Sequence, residues 1–358
     1  MFGKRDLNRL QATENAKVAK PAEKLKEQSD VKLRKDRIGR YFKDYAGSFV
    51  FDEFSESYLE KKGKGLTGLM KDIPVPLREE DVEKFEGGEG IPESHLAENM
   101  TWIIGIDPRF KYTQSYMDFL LKVFNEKIND GILRKARYAA ENGDFDKACI
   151  FFRATLCFNP LYLDGMYGYA RACRELYLAG DDEEYIGRFK AESIDYFELL
   201  TEAHPKFAQS YYYLGYAYLN MGLYVKADLA WKEFLNSGVA SKDRKEIKER
   251  LAQIAEPVEI ERGCNMVLSG SFKHGLVTLA PFMDTKFKTW WPLSYYLGVC
   301  YARLGKQEKA LNSFKNVLTM NASHLETMEE LADIYEAYGD KENEEKYRKK
   351  LELIKGEQ

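Results

Sequence analysis

YYLGVCYARLGKQEKALNSFKNVL (295–318) and YYLGYAYLNMGLYVKADLAWKEFL (212–235) are two copies of one pattern. With Gly298 set over Gly215, Leu297, Gly298, Tyr301, Gly305, Ala310 and Phe314 fall on Leu214, Gly215, Tyr218, Gly222, Ala227 and Trp231. The spacing has a physical reading. Leu, a small residue and Tyr share one face of a first helix. The later Gly ends that helix, because a helix C-terminus favours a residue able to take positive φ. Ala then lets a second helix come close, and the aromatic four residues on lies on the same face and fills the gap.

The pattern resembles the tetratricopeptide repeat (TPR), whose period is 34 residues. The resemblance implies an all-α fold, a TPR alpha-solenoid: a right-handed superhelix of helix-turn-helix repeats, here with a helical N-terminal cap. The register places units at 129–162, 163–207, 208–241, 256–290, 291–324 and 325–358, with a charged spacer helix at 242–255. The first unit carries Ala136, Gly143, Phe145, Ala148, Phe152 and Pro160. The second keeps Ala170, Phe197 and Pro205. Its added stretch spaces Tyr185, Ile186, Phe189, Ile194 and Phe197 helically, so both of its helices are expected to be lengthened. The unit at 256–290 is degenerate: Gly263, Gly270, Phe272 and Gly275 hold the register while Leu279 replaces the aromatic. The last unit keeps Leu331, Ala332, Tyr335 and Gly339, then places Glu344 and Arg348 where Ala and the aromatic belong. Its thin apolar stripe, Tyr347, Leu351 and Ile354, is what the solvent-facing end of an array needs.

Ahead of the array, Tyr112, Tyr116, Phe119, Val123 and Phe124 are spaced helically, and 93–128 reads as the helical cap. Residues 41–92 are punctuated by Gly and Pro and read as an irregular linker with a short helix around 49–61. Residues 1–40 hold 12 Lys/Arg against 6 Asp/Glu, while the whole chain has net charge −4, so a basic arm precedes an acidic array. The arm has few large apolar residues and is expected to be disordered. It has no aromatic between Phe2 and Tyr41 to stack on bases, so nucleic acid is not expected as a partner. The five Cys form no C-x-x-C pair and read as reduced, mostly buried thiols of a cytoplasmic protein. No apolar run is long enough for a membrane span and no signal peptide is evident. The sequons at Asn99 and Asn321 carry no meaning in that compartment.

The search for chemistry returns little. Residues 63–68 spell Gly-Lys-Gly-Leu-Thr-Gly, but no buried strand precedes them, so a loop is the better reading than a dinucleotide site. His95, His204, His274 and His324 are isolated, with no metal-ligand spacing. Cys149, Cys157, Cys173, Cys264 and Cys300 read as core filling. The acidic face of the last unit (Glu326, Glu329, Glu330, Asp333, Glu336) reads as a solvated end. No catalytic residue, cofactor or metal is expected, and the chain is read as non-enzymatic.

The TPR resemblance implies that first helices line a concave groove through positions 2, 5, 9, 12 and 13 of each unit. Those positions hold Arg137; Tyr167, Arg171 and Arg174; Tyr212, Tyr216 and Asn220; and Tyr295 and Arg303. Tyr offers large contact area at low entropic cost and Arg pairs with carboxylates. Nineteen of the 24 Tyr lie in 129–358, which places the aromatic excess in the array. Some TPR proteins clamp a chaperone's C-terminal carboxylate with Lys and Asn at positions 5 and 9, and this chain has neither there. The expected function is a protein-interaction scaffold or adaptor that binds a peptide or protein segment in the groove. The alternative is a ligand-sensing regulator whose basic N-terminal segment acts on nucleic acid or an effector protein.

Overall fold

The computed structural model describes residues 36–356 apart from 58, 60–67, 87–90 and 239–240. Residues 1–35 of the basic arm, and most of the Gly-Lys-Gly-Leu-Thr-Gly stretch, lie outside the described residues. The chain divides into two compact units, one up to Leu214 and one from Gly215.

In the first unit, a 3-10 helix at Gly39–Ser48 leads into strand β1 (Phe49–Glu53). Strand β2 (Pro74–Arg78) pairs antiparallel with it, from Phe49 opposite Arg78 to Glu53 opposite Pro74. Helices α1 (Glu79–Glu86), α2 (Glu93–Ile106), α3 (Thr113–Phe124), α4 (Lys127–Glu141) and α5 (Phe145–Phe158) follow. Then come α6 (Leu163–Ala179) and α7 (Glu183–Ala203). Helix α2 is apolar nearly all round, with Trp102, Ile103, Ile104 and Ile106 buried, as an interior helix must be. Asp144 and Asp182 start α5 and α7 by accepting hydrogen bonds from the amides of Lys147 (3.2 Å) and Tyr185 (2.7 Å). Helices α6 and α7 run 17 and 21 residues.

The division falls within α8 (Ala208–Asn220). The second unit continues with α9 (Tyr224–Asn236), α10 (Ser241–Leu268) and α11 (Phe272–Leu279). Two 3-10 turns (Ala280–Asp284, Lys286–Thr289) lead to α12 (Trp291–Arg303), α13 (Gln307–Met320), α14 (Leu325–Tyr338) and α15 (Lys341–Gly356). A Cβ on Gly215 would stand 2.1 Å from the Trp231 indole, and one on Gly298 would stand 2.6 Å from the Phe314 ring. The small residue and the aromatic of the repeat therefore meet across each helix pair. Gly143, Gly222, Gly270, Gly305 and Gly339 all take φ between 71° and 81°, the left-handed turn that a β-carbon disfavours.

Three sequence expectations need correction. Residues 49–53 form a strand, not part of a helix around 49–61. The run Phe-Val-Phe is β-prone, and its partner lies far along the chain where local spacing gives no hint of it. The spacer 242–255 is not a separate helix: α10 runs unbroken for 28 residues through Pro257 into the unit at 256–290. Pro257 removes one backbone donor, but no Gly or capping residue separates Ile254 from Val258, and the helix continues through it. Finally, the arm's last residues, Asp36–Arg40, are packed, with Ile38 fully buried.

That packing is specific. The Asp36 carboxylate receives both Arg153 guanidinium nitrogens, at 3.2 and 2.6 Å. Arg37 pairs with Glu192 (3.4 Å) and Asp195 (2.6 Å), Arg40 with Glu184 (2.7 Å), and Arg188 donates to the Arg37 carbonyl. Phe42 is fully buried and sets its edge on Phe189. All these anchors lie on α5 and α7, the second helices of their pairs, so the described N-terminal strap does not sit on the Tyr/Arg residues of α6.

Candidate peptide-binding groove

Helix α6 carries Tyr167, Arg171 and Arg174 on one stripe, by the four- and three-residue steps of a helix. Tyr167 packs edge-on to Phe207 (5.0 Å between ring centres) and Phe197 (6.5 Å). Tyr213 stacks on Phe197 at 5.1 Å with 12° between planes. The Arg171 guanidinium lies 5.7 Å from the Tyr167 ring centre and 6.0 Å from that of Tyr213, and Arg174 lies 5.5 Å from Tyr213. Two cations thus rest on one aromatic platform, a favourable cation–π arrangement. Burial and the neighbouring Tyr213 push the Tyr167 phenol up to about 12, so it stays a neutral hydrogen-bonding group. Arg171 is exposed, whereas Arg174 also pairs with Glu175 (2.8 Å).

Tyr212 sets its edge on Tyr213 at 5.3 Å, and exposed Arg137 pairs with Asp164, in the first turn of α6, at 2.9 Å. The first unit thus gathers Tyr167, Arg171, Arg174 and Tyr212 around Tyr213, a residue the position rule omits. Its signal was the run Tyr211–Tyr213, in which successive residues turn only about 100°.

In the second unit the remaining residues are placed separately. The Tyr216 hydroxyl donates to Glu246, with Arg250 5.8 Å from its ring centre and Trp231 edge-on at 5.1 Å. Asn220 is exposed. Tyr295 packs against Tyr296, Phe314 and His324, and burial with Glu330 and Glu326 nearby pushes its phenol up. Arg303 pairs with Glu330 at 3.0 Å. Here the aromatics are held by carboxylates of this chain, unlike the Arg-capped platform on α6.

Two of the four histidines make structural contacts. His324 caps α14, its Nδ1 accepting from the Thr327 amide at 3.1 Å, and burial pushes its imidazole pKa down. His204 Nε2 lies 2.7 Å from the Leu161 carbonyl oxygen. No cluster of His, Cys, Asp or Glu among the described residues could hold a metal ion, and no described helix is long and apolar enough to cross a membrane. Cys149 and Cys173 are buried with sulfurs 3.8 Å apart. Burial pushes the Cys173 and Cys264 thiols up, and that of Cys300 up to about 11. These three are expected to resist a maleimide at pH 8 until the chain unfolds, since the thiolate is the nucleophile. Mass-spectrometric mapping checks this, and rapid modification of Cys173 in the folded chain would contradict it.

Successive helix pairs, five of them joined by a left-handed glycine turn, define a helical-repeat protein. Residues 293–321 match the tetratricopeptide repeat family model. The chain therefore carries a tetratricopeptide repeat at 293–321. No curated protein matches it in sequence. Solved structures similar to it include a TPR protein from Thermus thermophilus (15% identity, 66% of this chain and 98% of that one, TM-score 0.30). Another is a tetratricopeptide repeat protein from Parabacteroides merdae (14% identity, 72% and 93%, TM-score 0.31). A third is YrrB, a TPR protein with an unusual peptide-binding site (15% identity, 57% and 91%, TM-score 0.28).

Proposed function

We propose that the protein is a non-enzymatic scaffold that holds a peptide or protein segment in a groove, with α6 as the principal contact. The observation that carries this reading is the Tyr167–Tyr213 platform with Arg171 and Arg174 laid over it. Rigid aromatics and Arg dominate binding energy at protein interfaces, and Arg on a ring keeps outward N–H groups for a carboxylate or a backbone carbonyl. The segment it takes is internal or extended, since the Lys and Asn of a C-terminal carboxylate clamp are missing.

The test is selection from a displayed peptide library on the full chain, followed by fluorescence anisotropy. Arg171→Ala/Tyr212→Ala, with Arg174→Ala added, is expected to weaken the selected peptides at least tenfold, about 1.4 kcal/mol. Circular dichroism should stay unchanged, because these side chains lie outside the buried core. Equal binding by a folded triple variant would refute the assignment.

A further inference from the structure

A trough of about 1630 Å³ opens in the first unit between α2, α4 and α5, with α1 and the hairpin on its far side. Two helical stripes line it. Helix α2 contributes Ser94, Ala97, Glu98, Thr101 and Trp102, and α4 contributes Ile128, Gly131, Lys135 and Tyr138, with Asn142 just past its end. Both stripes repeat every three or four residues, the spacing by which a helix offers one face to a neighbouring helix. The floor is aromatic: Trp102 sets its ring on Phe151 of α5 at 5.0 Å. At the rim, Tyr138 is 71% exposed, a large ring that the other described residues leave uncovered.

The packing of α2 explains why a space stands here. Helix α2 lies along α5, close enough that a Cβ on Gly105 would stand 2.0 Å from the Ile150 carbonyl oxygen. It packs on α5 rather than on α4, which leaves an open strip between α2 and α4. Before it come β2 and the eight-residue α1, and no described helix fills the strip.

We infer that this trough docks an amphipathic helix of a partner protein, laid along α2 and α4. Charge specifies its flanks. Lys127 and Arg134 of α4 line one wall, Glu79, Glu80 and Glu83 of α1 line another, and none of the five makes an ion pair with another described residue. Lys135, Arg78 and Glu98, by contrast, already neutralise one another, at 2.7 and 3.2 Å. The partner helix therefore carries an apolar face for Trp102 and Phe151, an acidic flank for α4 and a basic flank for α1. Gly131 marks the closest approach. It sits within α4, lines the trough, and a Cβ added to it would meet nothing within 4 Å. A helical glycine with no neighbour among the described residues suits a second helix packed tightly against it. This site is independent of the platform on α6.

The probe is a synthetic 15-residue helical peptide with apolar residues along one face, Glu along one flank and Lys along the other. Two controls carry Glu on both flanks or Lys on both. Anisotropy with the full chain at 0.15 M salt is expected to rank the mixed peptide at least tenfold tighter than either control. Gly131→Trp, which fills the trough, is expected to abolish that binding and leave the melting temperature of the free chain unchanged. Lys127→Glu/Arg134→Glu, two exposed substitutions, is expected to shift preference to the all-Lys peptide. Equal affinity for the three peptides, or no shift in that double variant, overturns the proposal. A fall in melting temperature of Gly131→Trp without peptide would mean that the chain's own residues fill the trough. Self-association of the wild type in sedimentation, lost in Gly131→Trp, would mean that a second copy does. Either result also overturns it.

Discussion

Asp36→Ala is expected to destabilise the first unit by about 3–5 kcal/mol, the cost of leaving a buried charge without its partner. Arg153 is only 3% exposed and its Nε already lacks an acceptor. Apart from Asp36, its guanidinium donates among the described residues to the Ile106 carbonyl, at 3.4 Å, and lies over the Phe42 ring at 5.4 Å. Removing the carboxylate strands the cation in the interior. Asp36→Ala/Arg153→Met removes the charge as well and is expected to recover much of the loss, because an apolar side chain of similar length can fill the site. Urea denaturation of the single and double variants measures this, and a double variant no more stable than Asp36→Ala would rule out charge burial as the cause. The pair also sets a pH dependence. Burial pushes the Asp36 carboxyl up, but Arg153 and the Gly39 and Ile38 amides outweigh it and hold the carboxyl below its ordinary 3.8. A lowered folded value means that the unfolded chain binds the proton more readily. The contribution is therefore complete above pH 3.8 and lost as pH falls through the lower folded value. The stability gap between wild type and Asp36→Asn is expected to be widest at neutral pH and to close in acid.

Gly105→Val is expected to cost about 3 kcal/mol or more through overpacking. The obstacle at Gly105 is backbone: a Cβ would stand 2.0 Å from the Ile150 oxygen and 2.7 Å from its carbonyl carbon. Only a separation of α2 from α5 relieves that clash, and it would loosen Trp102 from Phe151. Gly187 in α7 supplies the control, since a Cβ there meets nothing within 4 Å. Gly187→Ala is expected to be neutral or slightly stabilising, as the helical propensities of the two residues differ by about 1 kcal/mol. Thermal denaturation of both variants checks the pair, and similar melting temperatures would contradict the close approach.

Much of the array was legible because its information is local. Gly305 and Phe314, or Gly222 and Trp231, lie within one helical hairpin, and their spacing alone dictates a turn and a close helix contact. The repeated register then multiplies a weak local signal. The platform on α6 was half legible: Tyr167, Arg171 and Arg174 share a stripe by arithmetic. Tyr213 joins them only because α8 packs beside α7, where Phe197 supplies the ring on which it stacks. Reading the first helices as one lining also treated Tyr216, Tyr295 and Arg303 alike, although Glu246, Glu330 and neighbouring rings hold them.

Non-local features were not legible. Arg153 sits one residue after the aromatic of its repeat, and nothing nearby explains a buried cation there; its partner is 117 residues away. The strand at Phe49–Glu53 depends in the same way on β2. The trough between α2 and α4 exists only because α2 packs on α5 and leaves that side of α4 uncovered. The sequence by itself determined the helix pairs, their turns and the small-to-aromatic contacts, because 3.6-residue periodicity and glycine conformation act within a few residues. The tertiary structure decided which charges are buried, where the N-terminal strap lies and which faces stay open, because those depend on packing between segments far apart in the chain.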